Sequence, residues 1–143
     1  MEQWDNELSV ELYALGNLMW RRMGEHMRQD GLADVTVMHS MVIGYLMEHG
    51  ETYQRDLENE FQVNRSTITK IVQAMERRGY IRREVVAQDK RMKQLVLTDL
   101  GRELNHRLRQ CAEDTNREFM EALPPEEGTA FIASMKKIRK KLE

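Results

Sequence analysis

From Asn64 to Arg77 the chain sets out hydroxyls, amides and long cations at helical spacing. Asn64, Arg65, Ser66, Thr67, Thr69, Lys70, Gln73 and Arg77 interleave with Ile68, Ile71, Val72 and Met75. The apolar set marks one face of a helix, so the polar set occupies the other. Such side chains suit duplex DNA: Gln pairs with an adenine edge, Lys and Arg with a guanine edge or phosphate, and Ser and Thr with either. A helix lined this way, free of bulky apolar groups, fits a major groove. Asn64 can cap its first amides, which add a phosphate site. A second cluster, Asp89-Lys90-Arg91, can lay Arg91 into an adjacent minor groove, where A·T-rich stretches concentrate negative potential.

The charge is segregated along the chain. Nine basic residues (Arg65, Lys70, Arg77, Arg78, Arg82, Arg83, Lys90, Arg91 and Lys93) stand against three acidic ones (Glu76, Glu84 and Asp89), whereas the whole chain carries a net charge of -2. A basic island on an acidic body focuses positive potential on one face and draws a polyanion there. Catalysis has no such support. No nucleophile-base pair, glycine-rich phosphate loop or metal motif is visible, so no catalytic residue, cofactor or metal is expected. His26, His39, His49 and His106 form no HxxxH pair and are read as structural or solvent-exposed.

The elements around these clusters follow from periodicity. Leu8, Leu12, Leu15, Met19, Met23 and Met27 make an amphipathic helix from about Asn6 to Gln29, with Trp4, Tyr13, Leu18 and Trp20 as apolar surface off the stripe that a second chain could cover. Gly31 ends it. Thr36 can cap a second helix whose buried face is Met38, Met41, Val42, Tyr45 and Leu46, up to Gly50, and Thr52 can cap a short third carrying Leu57 and Phe61. The turn 61–64 leads to the polar-faced fourth helix, with Val63 stapled onto Ile68 and Gly79 as terminator. Residues 80–86 and 94–97 are rich in β-branched and aromatic types, predicting a β-hairpin whose basic tip is 87–93. Thr98 can cap a fifth helix with Leu100, Leu104, Leu108, Cys111, Phe119 and Leu123. Pro125 opens a last one, with Phe131, Met135, Ile138 and Leu142 expected inward. Gly79 and Gly101 are read as structural breaks. The fold class is mainly α with a small β-hairpin wing, a winged helix-turn-helix in one domain spanning 1–143.

The stretch Asp89-Lys90-Arg91 followed by Leu95-Val96-Leu97-Thr98-Asp99-Leu100-Gly101 resembles the D-x-R...L-x-L-T-x-x-G signature of MarR-family regulators. The likeness extends through Asn64 to Thr69, the helix break at 78–81 and the proline-containing turn before the last helix. It implies an obligate homodimer through N- and C-terminal helices, 1–35 and 99–143, with 36–98 as the DNA-binding module on a pseudo-palindromic operator. It also implies that the aspartate at Asp89 anchors the wing, that the arginine at Arg91 reaches the minor groove, and that a small aromatic effector releases a repressor. Two positions depart from the pattern: Glu58 follows Leu57 where a small residue is usual, and Gln62 takes the place of a turn glycine, where a left-handed conformation costs ~1 kcal/mol.

Met19, Trp20, Met23, Met27, Met38, His39, Met41 and Tyr45 are candidates for the effector pocket, because methionine adapts and aromatics stack, although methionine at helical spacing more often simply fills a core. Cys111 falls on an apolar stripe and is read as an inert buried thiol. The run 136–141 is read as helix-end chemistry, cations favoured at a carboxyl terminus. The acidic start and the lack of an eighteen-residue apolar run predict no membrane association and a cytoplasmic protein, and the resemblance implies a bacterial regulator. The alternative is a winged-helix module that binds protein and has no effector site; an apolar or acidic outer face on the fourth helix would mark it.

Overall fold

The structure, a computed structural model, describes residues 7–143. Helix α1 (Glu7–Gln29) runs as its four-and-three spacing requires, and Gly31, at φ 75°, supplies the positive φ that ends it. Trp4 and Asn6 lie outside the described residues. Helix α2 (Val37–His49) starts with a capping box: Thr36 Oγ1 accepts from the His39 N–H at 3.2 Å, and His39 Nδ1 accepts from the Thr36 N–H at 3.2 Å. The buried face of α2 is His39, Val42, Ile43 and Leu46, with Met38, Met41 and Tyr45 only half-buried. That rotates the inner face from the expected one, because α2 is apolar almost all round and its neighbours on both sides compete for it.

Thr52 does not cap the third helix. It forms β1 (Thr52–Tyr53), fully buried, with Oγ1 donating to the Gly50 carbonyl at 3.2 Å. Helix α3 (Gln54–Phe61) is instead closed at its start by Asp56, whose Oδ2 accepts the Tyr53 N–H at 2.7 Å. Helix α4 (Arg65–Arg77), strand β2 (Ile81–Val86) and strand β3 (Asp89–Leu97) follow. The sheet has three antiparallel strands in the order β1-β3-β2, where a two-stranded hairpin was expected. A two-residue strand carries no period-two signal, so only its pairing with Gln94 and Leu95 reveals it. The hairpin tip is also tighter than 87–93: the chain turns at Ala87-Gln88 and β3 resumes at Asp89.

Helices α5 (Asp99–Met120) and α6 (Pro125–Leu142) complete the chain. Thr98 caps α5, Oγ1 accepting the Gly101 N–H at 3.1 Å, and Pro125 takes the first turn of α6. Gly101 lies inside α5, as the third residue of its first turn, and not at a break. A core of Met23, Met27, Leu32, Val35, Ile43, Leu57, Ile68, Val72, Met75, Ile81, Leu95, Leu104 and Leu108 joins α1, α2, α4, α5 and the sheet. Helix α6 contributes little to it. Phe131, Met135, Ile138 and Leu142 were expected inward and are exposed, as are Leu8, Val10, Leu12, Tyr13 and Leu15 at the start of α1. The stripes are real, but the described residues of the chain supply nothing to cover them. Leu100 is exposed too, while Phe119 and Leu123 are half-buried.

The α2 cap responds to pH. Burial pushes the His39 imidazole below its ordinary pKa, the Arg78 charge adds to this, and Asp34 opposes it. The unfolded chain protonates His39 at about pH 6.5, and the folded chain only at lower pH. The cap's contribution is therefore complete above that value and is lost as pH falls through the folded-state pKa. Protonation also removes the Nδ1 lone pair that holds the Thr36 N–H. His39→Gln, which preserves a side-chain acceptor at this position, is expected to flatten the fall of Tm between pH 7.5 and 5. An identical fall in both proteins would sink the assignment.

Candidate nucleic-acid interface

Helix α4 owes its presentation to its first turn. Asn64 Oδ1 accepts the Thr67 N–H at 2.9 Å and the Ser66 hydroxyl at 2.7 Å. Val63 packs on the core that holds Ile68, as a staple would. Gln62 adopts φ 52°, ψ 38°, the left-handed conformation anticipated for a turn without glycine, and its Nε2 donates to the Asn59 carbonyl at 2.6 Å. With Ile68, Val72 and Met75 fully buried, Asn64, Arg65, Ser66, Thr67, Lys70, Gln73 and Arg77 are all exposed on one side.

Thr69 is different. It is half-buried, and its hydroxyl accepts from Gln54 Nε2 at 2.7 Å, while the same nitrogen lies 3.3 Å from Glu58 Oε1. Gln54 thus ties α3 to α4 beside the exposed face, a role sequence reasoning missed. Its signal was the four-residue spacing to Glu58, which also explains why a glutamate is tolerated after Leu57.

At the hairpin tip, Val85 pairs with Lys93 but Val86 pairs with Asp89, so Lys90, Arg91 and Met92 bulge out of the ladder. Asp89 Oδ1 accepts the Arg91 N–H at 2.9 Å and shapes the bulge, leaving the Arg91 side chain exposed. The basic island divides in two. Arg78 pairs with Asp34, Arg82 with Glu84 at 2.7 Å and Arg83 with Glu76 at 3.3 Å. Among the described residues, Arg65, Lys70, Arg77, Lys90, Arg91 and Lys93 have no acidic partner. Within the island, the cations without an acidic partner lie on the α4 face and the hairpin, where a polyanion meets them without breaking internal pairs.

A cavity of about 320 Å³ lies between α1, α2 and α5. Met19, Trp20, Met23 and Met41 line it. Ser40, Gly44, Asn105, Leu108, Arg109, Ala112, Thr115 and Asn116 were not anticipated, because the α5 wall depends on interhelical angles. Met27, Met38, His39 and Tyr45 do not line it: Met27 is core, His39 closes the α2 cap, and Tyr45 stacks on His49 with ring centroids 3.9 Å apart. Cys111 is buried beside the wall, and burial pushes its thiol up, away from the reactive thiolate. Among the described residues no cluster of three or more His, Cys, Asp or Glu side chains could hold a metal, and no helix is long and apolar enough to cross a membrane.

The MarR family model matches residues 33–92, the segment that builds α2, α3, α4 and most of the hairpin. YdcH of Bacillus subtilis, an uncharacterized HTH-type transcriptional regulator, is 27% identical over 96% of this chain and 98% of its own. The apo form of wild-type MarR from E. coli shares the fold at a TM-score of 0.81 and 18% identity, over 92% of this chain and 96% of that one. A mutant of S. aureus MepR bound to an oligodeoxyribonucleotide shares it at a TM-score of 0.65 and 24% identity, over 95% and 98%. Residues 33–92 thus match the MarR family, and the helix order of the whole chain agrees with the winged-helix fold of these structures.

Proposed function

We propose that the protein is a homodimeric, sequence-specific regulator that binds duplex DNA and acts as a repressor released by a small aromatic effector. The observation that carries the DNA half is the cluster of exposed, unpaired cations on α4 and the hairpin, beside an exposed row of hydroxyls and amides. In this reading α4 enters a major groove with Asn64, Arg65, Ser66, Thr67, Lys70, Gln73 and Arg77 toward the DNA. Thr69 acts at second hand through Gln54, and Asp89 shapes a tip from which Lys90 and Arg91 reach the minor groove. Residues 36–98 form the DNA-binding module. The hydrophilic face of α4 disfavours the protein-interaction alternative. Acting on genomic DNA, such a regulator works in the bacterial cytoplasm.

The test is recovery of genomic DNA fragments on the purified protein followed by sequencing. One enriched inverted repeat is the expected outcome, and recovery without sequence enrichment would overturn specific regulation.

The dimer reading rests on the uncovered faces of α1 and α6. Each large apolar side chain taken from water contributes about 1.5–3 kcal/mol, and the exposed set on α1 and α6, within the 1–35 and 99–143 segments, would drive two protomers together. A dimer places two α4 helices on successive major grooves of a pseudo-palindromic operator. Ile138→Glu, which puts a charge on that face, is expected to shift the protein toward monomer in sedimentation analysis and to weaken operator binding. An unchanged dimer would remove Ile138 from the interface.

The effector reading rests on the cavity beside Trp20. Its apolar lining suits an aromatic ring, and Arg109, Asn105 and Asn116 offer polar contacts. Titration with phenol and with benzoate, read by Trp20 fluorescence and operator affinity, tests it in a Trp4→Phe background.

A further inference from the structure

The connection from α1 to α2 is gripped at both ends by arginines of other elements. Arg107 of α5 donates through Nε to Asp30 Oδ2 at 2.9 Å and through Nη2 to the Asp30 carbonyl. Arg78, which closes α4, donates through Nη1 to the Asp34 carbonyl, and the same nitrogen stands 3.3 Å from Asp34 Oδ2. Between the two grips Leu32 and Val35 are buried in the core, and the Leu32 N–H bonds the Met27 carbonyl at 2.8 Å. This segment is a strut, closed by its own hydrogen bonds and pinned into the core. It links the far end of the groove-reading helix to α1 and α5.

We propose that the Asp34–Arg78 pair is a positioning device for DNA recognition: a carboxylate on a protein that binds a polyanion, which nonetheless raises DNA affinity by holding the end of α4 against the strut. The inference rests on the DNA-binding reading above. Two α4 helices in one dimer must stand a fixed distance apart to meet half-sites about 34–36 Å apart. Within the protomer the body of α4 is held by buried Ile68, Val72 and Met75 and by the Gln54–Thr69 contact, and the Asp34–Arg78 pair sets the angle of its last turn against the strut. Arg78 and Asp34 are 36% and 63% exposed, and exposed pairs contribute little to stability. One Arg78 nitrogen meets both the carbonyl and the carboxylate of Asp34, and this convergence orients the helix end.

The sign of one substitution tests this. Electrostatics alone requires that removing the Asp34 carboxylate strengthens DNA binding or leaves it unchanged. The positioning role requires the opposite. Asp34→Asn, measured on the duplex recovered from genomic fragments, is expected to bind roughly three- to tenfold more weakly, with the same slope of log K against log salt because no cation is lost. Discrimination against a duplex with one base pair inserted between its half-sites should relax. Arg78→Met keeps much of the side chain's length but removes both contacts, and should show the same loss of spacing discrimination. Thermal unfolding and native mass establish that both variants remain folded and of wild-type assembly state. Tighter or equal binding by Asp34→Asn, with spacing discrimination intact, overturns the proposal. Failure of the wild-type protein to bind any duplex would instead overturn the DNA reading beneath it.

Discussion

Gly101→Ala is expected to destabilise the protein by ~2–4 kcal/mol, with a fall in Tm on the order of 10 °C at fixed protein concentration. In an open helical position the same change would stabilise by roughly 0.5–1 kcal/mol, since glycine costs a helix conformational entropy. Here the sign reverses. A Cβ at Gly101 would lie 2.1 Å from the Tyr80 carbonyl oxygen and 2.9 Å from Leu97 Cδ2. The obstacle is backbone that cannot rotate away. Tyr80 O is already held by the Thr98 N–H at 3.1 Å and the Thr98 hydroxyl at 3.1 Å, so separating α5 from it strains the joint between the winged module and the long helix. Thermal unfolding of the two proteins decides the matter, and a rise in Tm for the alanine variant would show that the close approach is not maintained.

Arg91→Ala is expected to weaken binding to the recovered duplex roughly 10- to 100-fold at ~100 mM salt, while native mass and Tm stay at wild-type values. Its side chain is exposed and has no acidic partner among the described residues, so its removal takes nothing from the fold. The charge lost is one that a narrow minor groove attracts strongly. If Arg91 touches only phosphate, the salt slope should also fall by about one per subunit. Asp89→Ala supplies the complementary measurement. It frees the Arg91 N–H from its 2.9 Å bond, and should weaken binding by loosening the bulge with the cation still present. A folded Arg91→Ala protein of wild-type native mass that binds the duplex like wild type would show the hairpin to be a bystander.

Much of this was determined by the sequence alone. Helix α4 was readable because an Asn cap, an apolar stripe and a terminating glycine are local, and each acts through neighbours within four residues. Thr36, Thr98 and Pro125 were legible for the same reason, as was the left-handed Gln62. The family signature from Asp89 to Gly101 carried the identity of the fold, although the reason for its glycine appeared only when the Tyr80 carbonyl came within reach.

Tertiary structure alone decided the features that depend on residues far apart in the chain. Strand β1 exists only through Gln94 and Leu95, and the cavity only through the angle at which α5 crosses α1 and α2. The division of the basic island into paired and unpaired cations depends on Asp34, Glu76 and Glu84 lying where they do in space. Periodicity likewise shows that α6 has an apolar face but not what covers it, since the pattern is the same for a core within one chain and a seam between two.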